Sequence, residues 1–458
     1  MAPTLYMMPP SPPVRAVLMT AKSIGLDLEL KQLNLRRGDH KTPEYLKLNP
    51  QHTVPTLVDD DGFVLWDSHA IMVYLLSKYA KDDSLYPQDL RKRAVIDQRM
   101  HFDSGVAFAV FLRILYPLIY GEKKTITSED TKAAEEVYSF LEAFLEGRQW
   151  LTGDFVTIAD YSLIATTSSL NVLVKIDPVK YPKLTAWVKN VEKLPAYEAN
   201  KPGLEKFIGY VKSILMCKIP IGMENKAYIF TRNKRIFIHF SFAMAPVLYV
   251  THLTPPVRAV LMTAKTIDLD LELKKLNVEK REHKNSEFLK LNPQHTVPTL
   301  VDNDFVLWDS HAIMAYLVSK YAKDDSLYPN DLKQRAIVNQ RMHFENGVAF
   351  PELLKILYPI IHDGKKTITQ EDEIAADEVY SFLEAFLDGK QWITGDSVTI
   401  ADYSLITTIT ALNVLVKIDH VVFPNLNTWM KKLEQLPVYE ANRKGLDSYT
   451  THVKLLLR

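Results

Sequence analysis

Residues Asn49–Tyr79 read "NPQHTVPTLVDDDGFVLWDSHAIMVYLLSKY", and Asn292–Tyr321 read "NPQHTVPTLVDNDFVLWDSHAIMAYLVSKY". In each stretch two short apolar runs flank an acidic turn, which in the first copy carries Asp61 and Gly62. Such a turn between β-prone runs predicts a hairpin. "SHAIMVYLLSKY" then predicts a helix with one apolar face. One residue is missing from the second turn, so the offset between copies falls from 243 to 242.

The duplication continues in both directions. "SPPVRAVLMTAK" from Ser11 returns as "TPPVRAVLMTAK" from Thr254, "SKYAKDDSLYP" occurs at Ser77 and Ser319, and "VTIADYSLI" occurs at Val156 and Val398. The repeat is a whole protein rather than a short solenoid period. Upstream of the hairpin lie a strand near "TLYMM", a helix from Pro12, a strand at "LELKQLNL" and a short helix at "TPEYLKL". The order is β-α-β, then β-β-α. From Gln88 onward long amphipathic runs alternate with "GEKKTIT", "EGRQWLTGD" and "KIDPVKYP", which predicts helices alone.

The expected fold class is therefore α/β plus all-α, twice. The boundaries expected are 1–81 and 88–216 for the first copy, and 244–323 and 330–458 for the second. Residues 217–243 have no counterpart in either copy and hold no steady period. The second copy opens "MAPVLY", with Met244 aligned to Met1, which is the pattern of two neighbouring genes joined end to end.

Bulk properties exclude several roles. At 458 residues the chain exceeds one comfortable core. Fifty-five basic residues balance 55 acidic ones, so no overall field gathers nucleic acid or an anionic membrane. Cys217 is the lone cysteine, and the N-terminus lacks a basic segment followed by a long apolar one, so a cytoplasmic setting is expected. The most apolar stretch, "RIFIHFSFAMAPVLYV", is interrupted at Arg235 and His239, so no membrane span is expected.

Four features carry polar groups suited to a ligand. Ser11 precedes a helix and reads first as an N-cap, yet Pro12 and Pro13 remove two of the donors it would satisfy. The positive helix end still faces outward there, so the hydroxyl is equally placed to favour an anion such as a thiolate. Val54, ahead of Pro55, is either the end of a loop or an extended residue whose free N–H and C=O can pair with a peptide. His40 and His52 flank that loop. Asp67 and Ser68 can cap the next helix, or hold the ammonium and carboxylate of an amino acid. Thr157 and Asp160 form a capping box, repeated at Thr399 and Asp402.

With these motifs in order, each copy resembles an insect cytosolic glutathione transferase of the epsilon class, with delta as the neighbouring class. "SPPVRA", "NPQHTVPTL", "WDSHAI", "KYAKDDSLYP" and "TIADYSLI" carry the resemblance along the full length of each copy. It implies a thioredoxin-like glutathione-binding domain followed by a helical domain that walls an electrophile pocket. It also assigns roles: Ser11 to the glutathione sulfur, Val54 and Pro55 to the cysteinyl backbone, His40 and His52 to the glycyl carboxylate, and Asp67 and Ser68 to the γ-glutamyl end. The matching residues of the second copy are Thr254, Val297, Pro298, His283, His295, Asp309 and Ser310.

At helical spacing, Phe108, Leu112 and Leu115, with Phe350, Leu354 and Leu357, fit a hydrophobic pocket or an ordinary core. Pro351 is expected to kink its helix or force a start there, making the two pockets differ. Conjugation of glutathione to hydrophobic electrophiles, or assisted loss of halide, is the function implied, in xenobiotic detoxification. Glutathione is then a co-substrate, with no cofactor and no metal. Sequestration of hydrophobic ligands is the alternative, above all for the second copy, because Thr254 is stiffer than serine. A purely structural role is disfavoured by the groove residues. The family's two-fold dimers imply an intramolecular pseudo-dimer or a homo-oligomer, and a 27-residue insert extends to about 90 Å at most, so reach is no obstacle.

Overall fold

The computed structural model describes residues 2–215, 245–251, 253–278 and 280–458. The expected insert 217–243, with Cys217 and Met244, lies outside them.

In the first copy β1 (Thr4–Met7) leads through α1 (Pro12–Ser23) to β2 (Glu29–Gln32), and α2 (Pro43–Leu48) follows. The hairpin β3 (Thr56–Val58) and β4 (Val64–Trp66) then runs into α3 (Ser68–Tyr79). The sheet order is β2-β1-β3-β4, with β1 parallel to β2 and antiparallel to β3. Leu5 of the central strand pairs with Leu30 and Leu57, and Leu57 pairs with Leu65. Leu5, Leu57 and Leu65 are fully buried under the apolar faces of α1 and α3. The edge strand β2 is exposed throughout and carries Glu29 and Lys31, charges that discourage further pairing.

The helical domain comprises α4 (Leu90–Phe102), α5 (Phe108–Ile119), α6 (Ser128–Phe144), α7 (Ile158–Leu173), α8 (Pro182–Val191) and α9 (Lys201–Leu215). Its core helix α7 starts at the predicted capping box. Asp160 accepts from the N–H groups of Thr157 at 2.9 Å and Leu151 at 3.1 Å, and from Trp187 Nε1 at 2.8 Å. Leu90–Ile119 is long and apolar enough to cross a membrane by length and composition, but Ile96, Met100, Phe102, Phe111 and Ile114 are buried against the rest of the protein.

The second copy repeats the plan with β5 (Val247–Val250), α10 (Pro255–Thr266), β6 (Glu272–Lys275), α11 (Ser286–Leu291), β7 (Thr299–Asp302), β8 (Phe305–Trp308) and α12 (Ser310–Tyr321). Its helices are α13 (Leu332–Phe344), α14 (Phe350–His362), α15 (Gln370–Phe386), α16 (Ile400–Leu415), α17 (Pro424–Glu434) and α18 (Glu440–Leu456). Mixed α/β followed by all-helical structure thus occurs twice.

Pro351 stands at a helix start, one of the two outcomes expected of it. It occupies the first turn of α14. A π-helical turn, Glu345–Ala349, precedes α14, and the equivalent turn Asp103–Ala107 precedes α5, which starts at Phe108 without a proline. Both starts therefore follow the same wide turn, with the proline present in one copy alone.

The two copies pack against each other through α3, α4, α12 and α13. Gln98 donates to the Trp308 carbonyl and Gln340 to the Trp66 carbonyl, each at 2.9 Å. The cores interpenetrate: Trp308 belongs to the first copy's buried cluster and Ala94 to the second's. Arg99 lies 3.7 Å from the Phe144 ring centroid and 5.3 Å from that of Trp308, and Arg341 sits between Phe386 and Trp66 in the same way. At the rim Arg91 pairs with Asp304 at 2.9 Å and Lys333 with Asp61 at 2.6 Å.

Candidate functional site

In each copy three segments converge beside the sheet: the start of α1 or α10, the loop before β3 or β7, and the start of α3 or α12. Ser11 is extended (φ −67°, ψ 122°), half-buried, and its side chain makes no capping hydrogen bond. Its backbone is engaged instead, with the N–H donating to Met8 O at 3.0 Å and the carbonyl accepting from Arg15 N at 3.1 Å. The hydroxyl is therefore left for something else, at the positive end of a helix. Thr254 also makes no cap, but its Oγ1 leans back on Thr251 O at 3.4 Å.

Arg15, on the same helix, is fully buried, donating to Asn200, Ser169 and, at 2.9 Å, the Ala165 carbonyl. Burial lowers its pKa to about 9. It ties α1 to the helical domain. Arg258 does the same for α10 through Asn442 and the Thr407 carbonyl.

In the next loop the Val54–Pro55 and Val297–Pro298 peptides are cis. Asn49 Nδ2 donates to Thr53 O at 3.1 Å and Thr56 Oγ1 at 3.0 Å, and Trp66 Nε1 donates to Gln51 at 2.6 Å, which hold the loop in shape. The N–H and C=O of Val54 bond to no described residue, so an extended backbone can pair there. His52 takes a left-handed φ of 48°, and its ring centroid lies 5.9 Å from that of His40; His283 and His295 are 6.1 Å apart. Burial and Lys41 lower the pKa of His52, and burial, His52 and Lys41 lower that of His40. Phe382 of the second copy approaches His52 at 5.8 Å, and Phe140 of the first approaches His295 at 6.0 Å. Sequence reasoning missed these aromatic neighbours, because nothing local ties them to a loop in the other copy.

At the start of α3, Asp67 (φ 71°) is the cap: its Oδ1 accepts from His69 N at 2.9 Å and Ala70 N at 3.1 Å. Ser68 is the first helical residue and is buried. Burial opposes the charge of Asp67, but the imidazoles of His343 and His69 and the backbone donors hold its carboxyl below the ordinary range. Behind it His69 Nε2 meets Asp103 Oδ2 at 3.3 Å, and Asp103 accepts from Ser162. Burial works against protonation of His69, yet Asp67 and Asp103 raise its pKa to about 9. His311 is raised to about 10 between Asp309 and Glu345. Asp309 and Ser310 repeat the cap.

The expected pocket residues divide. Leu115 and Leu357 are core, whereas Phe108, Leu112, Phe350 and Leu354 are half-buried.

With this geometry in view, comparisons with known proteins bear on the chemistry. Models described as the glutathione S-transferase N-terminal domain match residues 10–78 and 245–319, and one described as its C-terminal domain matches 95–195 and 348–437. Glutathione S-transferase 1 of Manduca sexta is 45% identical over 206 residues, covering 44% of this chain and 94% of that protein. An epsilon-class glutathione S-transferase from the housefly Musca domestica is 50% identical, covering 46% of this chain and 98% of its own, with a TM-score of 0.45. A delta-class glutathione transferase of Nilaparvata lugens is 42% identical, covering 46% and 99%, with a TM-score of 0.44. A glutathione transferase homolog from Drosophila mojavensis, solved with bound glutathione, is 47% identical, covering 46% and 96%, with a TM-score of 0.45.

Proposed function

Because this chain belongs to the glutathione S-transferase family and is an enzymatic transferase with two tandem copies of the family's N- and C-terminal domains, we propose that each copy holds one glutathione between α1 and α3, or α10 and α12. The free Ser11 hydroxyl carries this reading. It donates a hydrogen bond to the glutathione sulfur and, with the dipole of α1, favours the thiolate that attacks an electrophilic carbon. Val54 pairs with the cysteinyl backbone, Asp67 takes the γ-glutamyl ammonium and Ser68 its carboxylate, while His40 and His52 face the glycyl end. In the second copy Thr254, Val297, Asp309, Ser310, His283 and His295 take these places.

Rate then comes from making and positioning the thiolate, with no covalent intermediate on the protein. Phe108 and Leu112, with Phe350 and Leu354, offer apolar surface to a hydrophobic electrophile, and elimination of halide uses the same thiolate as a base. The motifs around Ser11, Val54 and Asp67 support the epsilon class, with delta as the neighbouring class. The domain boundaries 1–81, 88–216, 244–323 and 330–458 follow from the repeat, and the working unit is an intramolecular pseudo-dimer in the cytosol. Support for that unit comes from the paired contacts of Gln98 and Gln340 across the two copies.

A second reading, sequestration without turnover, is favoured for the second copy by one observation: the Thr254 hydroxyl leans on Thr251 O. Assay of glutathione conjugation to an aryl halide, with Ser11→Ala and Thr254→Ala compared, separates the readings. Ser11→Ala removes most of the turnover if the first copy is the engine. Unchanged turnover in Ser11→Ala would falsify the thiolate role.

A further inference from the structure

Four buried histidines stack across the contact between the copies in the order His69, His343, His101, His311, with ring centroids 4.5, 4.1 and 4.5 Å apart. Successive rings alternate between the first copy and the second. At one end Asp67 joins His69 and His343, and at the other Asp309 joins His311 and His101; within each set one donor atom per residue lies within 4.8 Å of the others. We propose that, in the glutathione-free chain, each set binds a divalent transition-metal ion of the zinc type, taking a carboxylate and an imidazole from one copy and an imidazole from the other.

The outer histidines, His69 and His311, are oriented for this. His69 gives its Nε2 to Asp103 at 3.3 Å and His311 gives its Nε2 to Glu345 at 2.7 Å, so Nδ1 of each ring faces the set. A carboxylate behind a ligating histidine is the usual outer support of a metal site. Those two Nδ1 atoms are buried and form no hydrogen bond to a described residue, although each lies 3.4 Å from the Asp67 or Asp309 Oδ1. That spacing is what two ligands show when each is about 2.0–2.1 Å from a tetrahedral zinc.

The third donor comes from the other copy. His343 meets Ser104 Oγ through Nδ1 at 3.1 Å, which leaves Nε2 for the metal, and Nδ1 of His101 is buried without a partner. Closing the set requires these inner rings to tilt about χ2, a soft torsion. Two imidazoles and one carboxylate suit zinc, copper or nickel better than magnesium or calcium.

Titration of the full chain with zinc chloride by isothermal calorimetry, without glutathione, tests this. The expected result is saturable binding of two ions per chain, one for each set. His343→Asn and His101→Asn should each remove one, and the double variant both. X-ray absorption of the zinc-loaded wild type should show two imidazoles per metal, a readout that stands even if a variant misfolds. No saturable binding, a stoichiometry that neither folded variant changes, or a spectrum without imidazole scattering overturns the proposal.

Discussion

Gln98 donates its side-chain amide to the backbone carbonyl of Trp308 at 2.9 Å, so the end of a strand in the second copy is satisfied by a helix of the first. Gln340 and Trp66 form the mirror contact, also at 2.9 Å. Neither carbonyl has a strand partner beyond it, because β4 and β8 are edges.

Replacing Gln98 and Gln340 by alanine leaves both carbonyls without their protein donor, at about 1–3 kcal/mol each. Urea unfolding should show the double variant losing more than either single one. Sedimentation of the wild type should give one species at the 52.5 kDa chain mass. A dominant species of twice that mass would mean that the copies pair between chains.

The hydroxyls of Ser11 and Thr254 differ in freedom, so Thr254→Ser should raise kcat/KM of the second copy when measured in a Ser11→Ala background. A hydrogen bond to a charged sulfur contributes about 1.5–3 kcal/mol, or about 10–100-fold. The gain expected from serine is part of that range. No gain would show that Thr254 already donates fully.

The histidine stack gives stability two pH limbs. The folded pKa values of His69 and His311, about 9 and about 10, exceed the ordinary imidazole value of about 6.5 because Asp67, Asp103, Asp309 and Glu345 outweigh burial. Their stabilisation is complete below about pH 6.5 and fades as pH rises through the folded values. His101 and His343 are shifted well below 6.5, chiefly by burial and then by the neighbouring imidazoles. Their neutral forms favour the fold above about pH 6.5, and that contribution is lost on acidification. Thermal unfolding against pH should therefore flatten on the alkaline side in a His69→Asn, His311→Asn variant. It should flatten on the acid side in a His101→Asn, His343→Asn variant.

Asp160 satisfies two backbone N–H groups and the Trp187 indole from inside the core, and Asp402 does the same for Thr399, Ile393 and Trp429. Asp160→Ala strands three buried donors, at about 1–3 kcal/mol each. Calorimetry should show the first copy unfolding well before the second. Asp160→Asn, which keeps an acceptor oxygen, should lose less.

Much of the candidate groove could be read locally. The proline pair after Ser11, the acidic cap at Asp67 and the hairpin between them are short-range devices, each written in a few adjacent residues. His69 and His101 left only a faint trace. Each recurs 242 positions later, as His311 and His343, but a lone histidine in an apolar run gives no hint of a partner. The π-helical turns before α5 and α14 left no recognisable signal.

The order of strands and helices, the helix caps and the duplication itself were determined by the sequence, because period, turn chemistry and capping act between near neighbours. What only the tertiary structure decided is which copy supplies which neighbour. Phe382 beside His52, Trp308 in the first core and the alternating histidine stack arise when two surfaces hundreds of residues apart in the chain meet. Burial and electrostatics then depend on that meeting, and no local pattern encodes it.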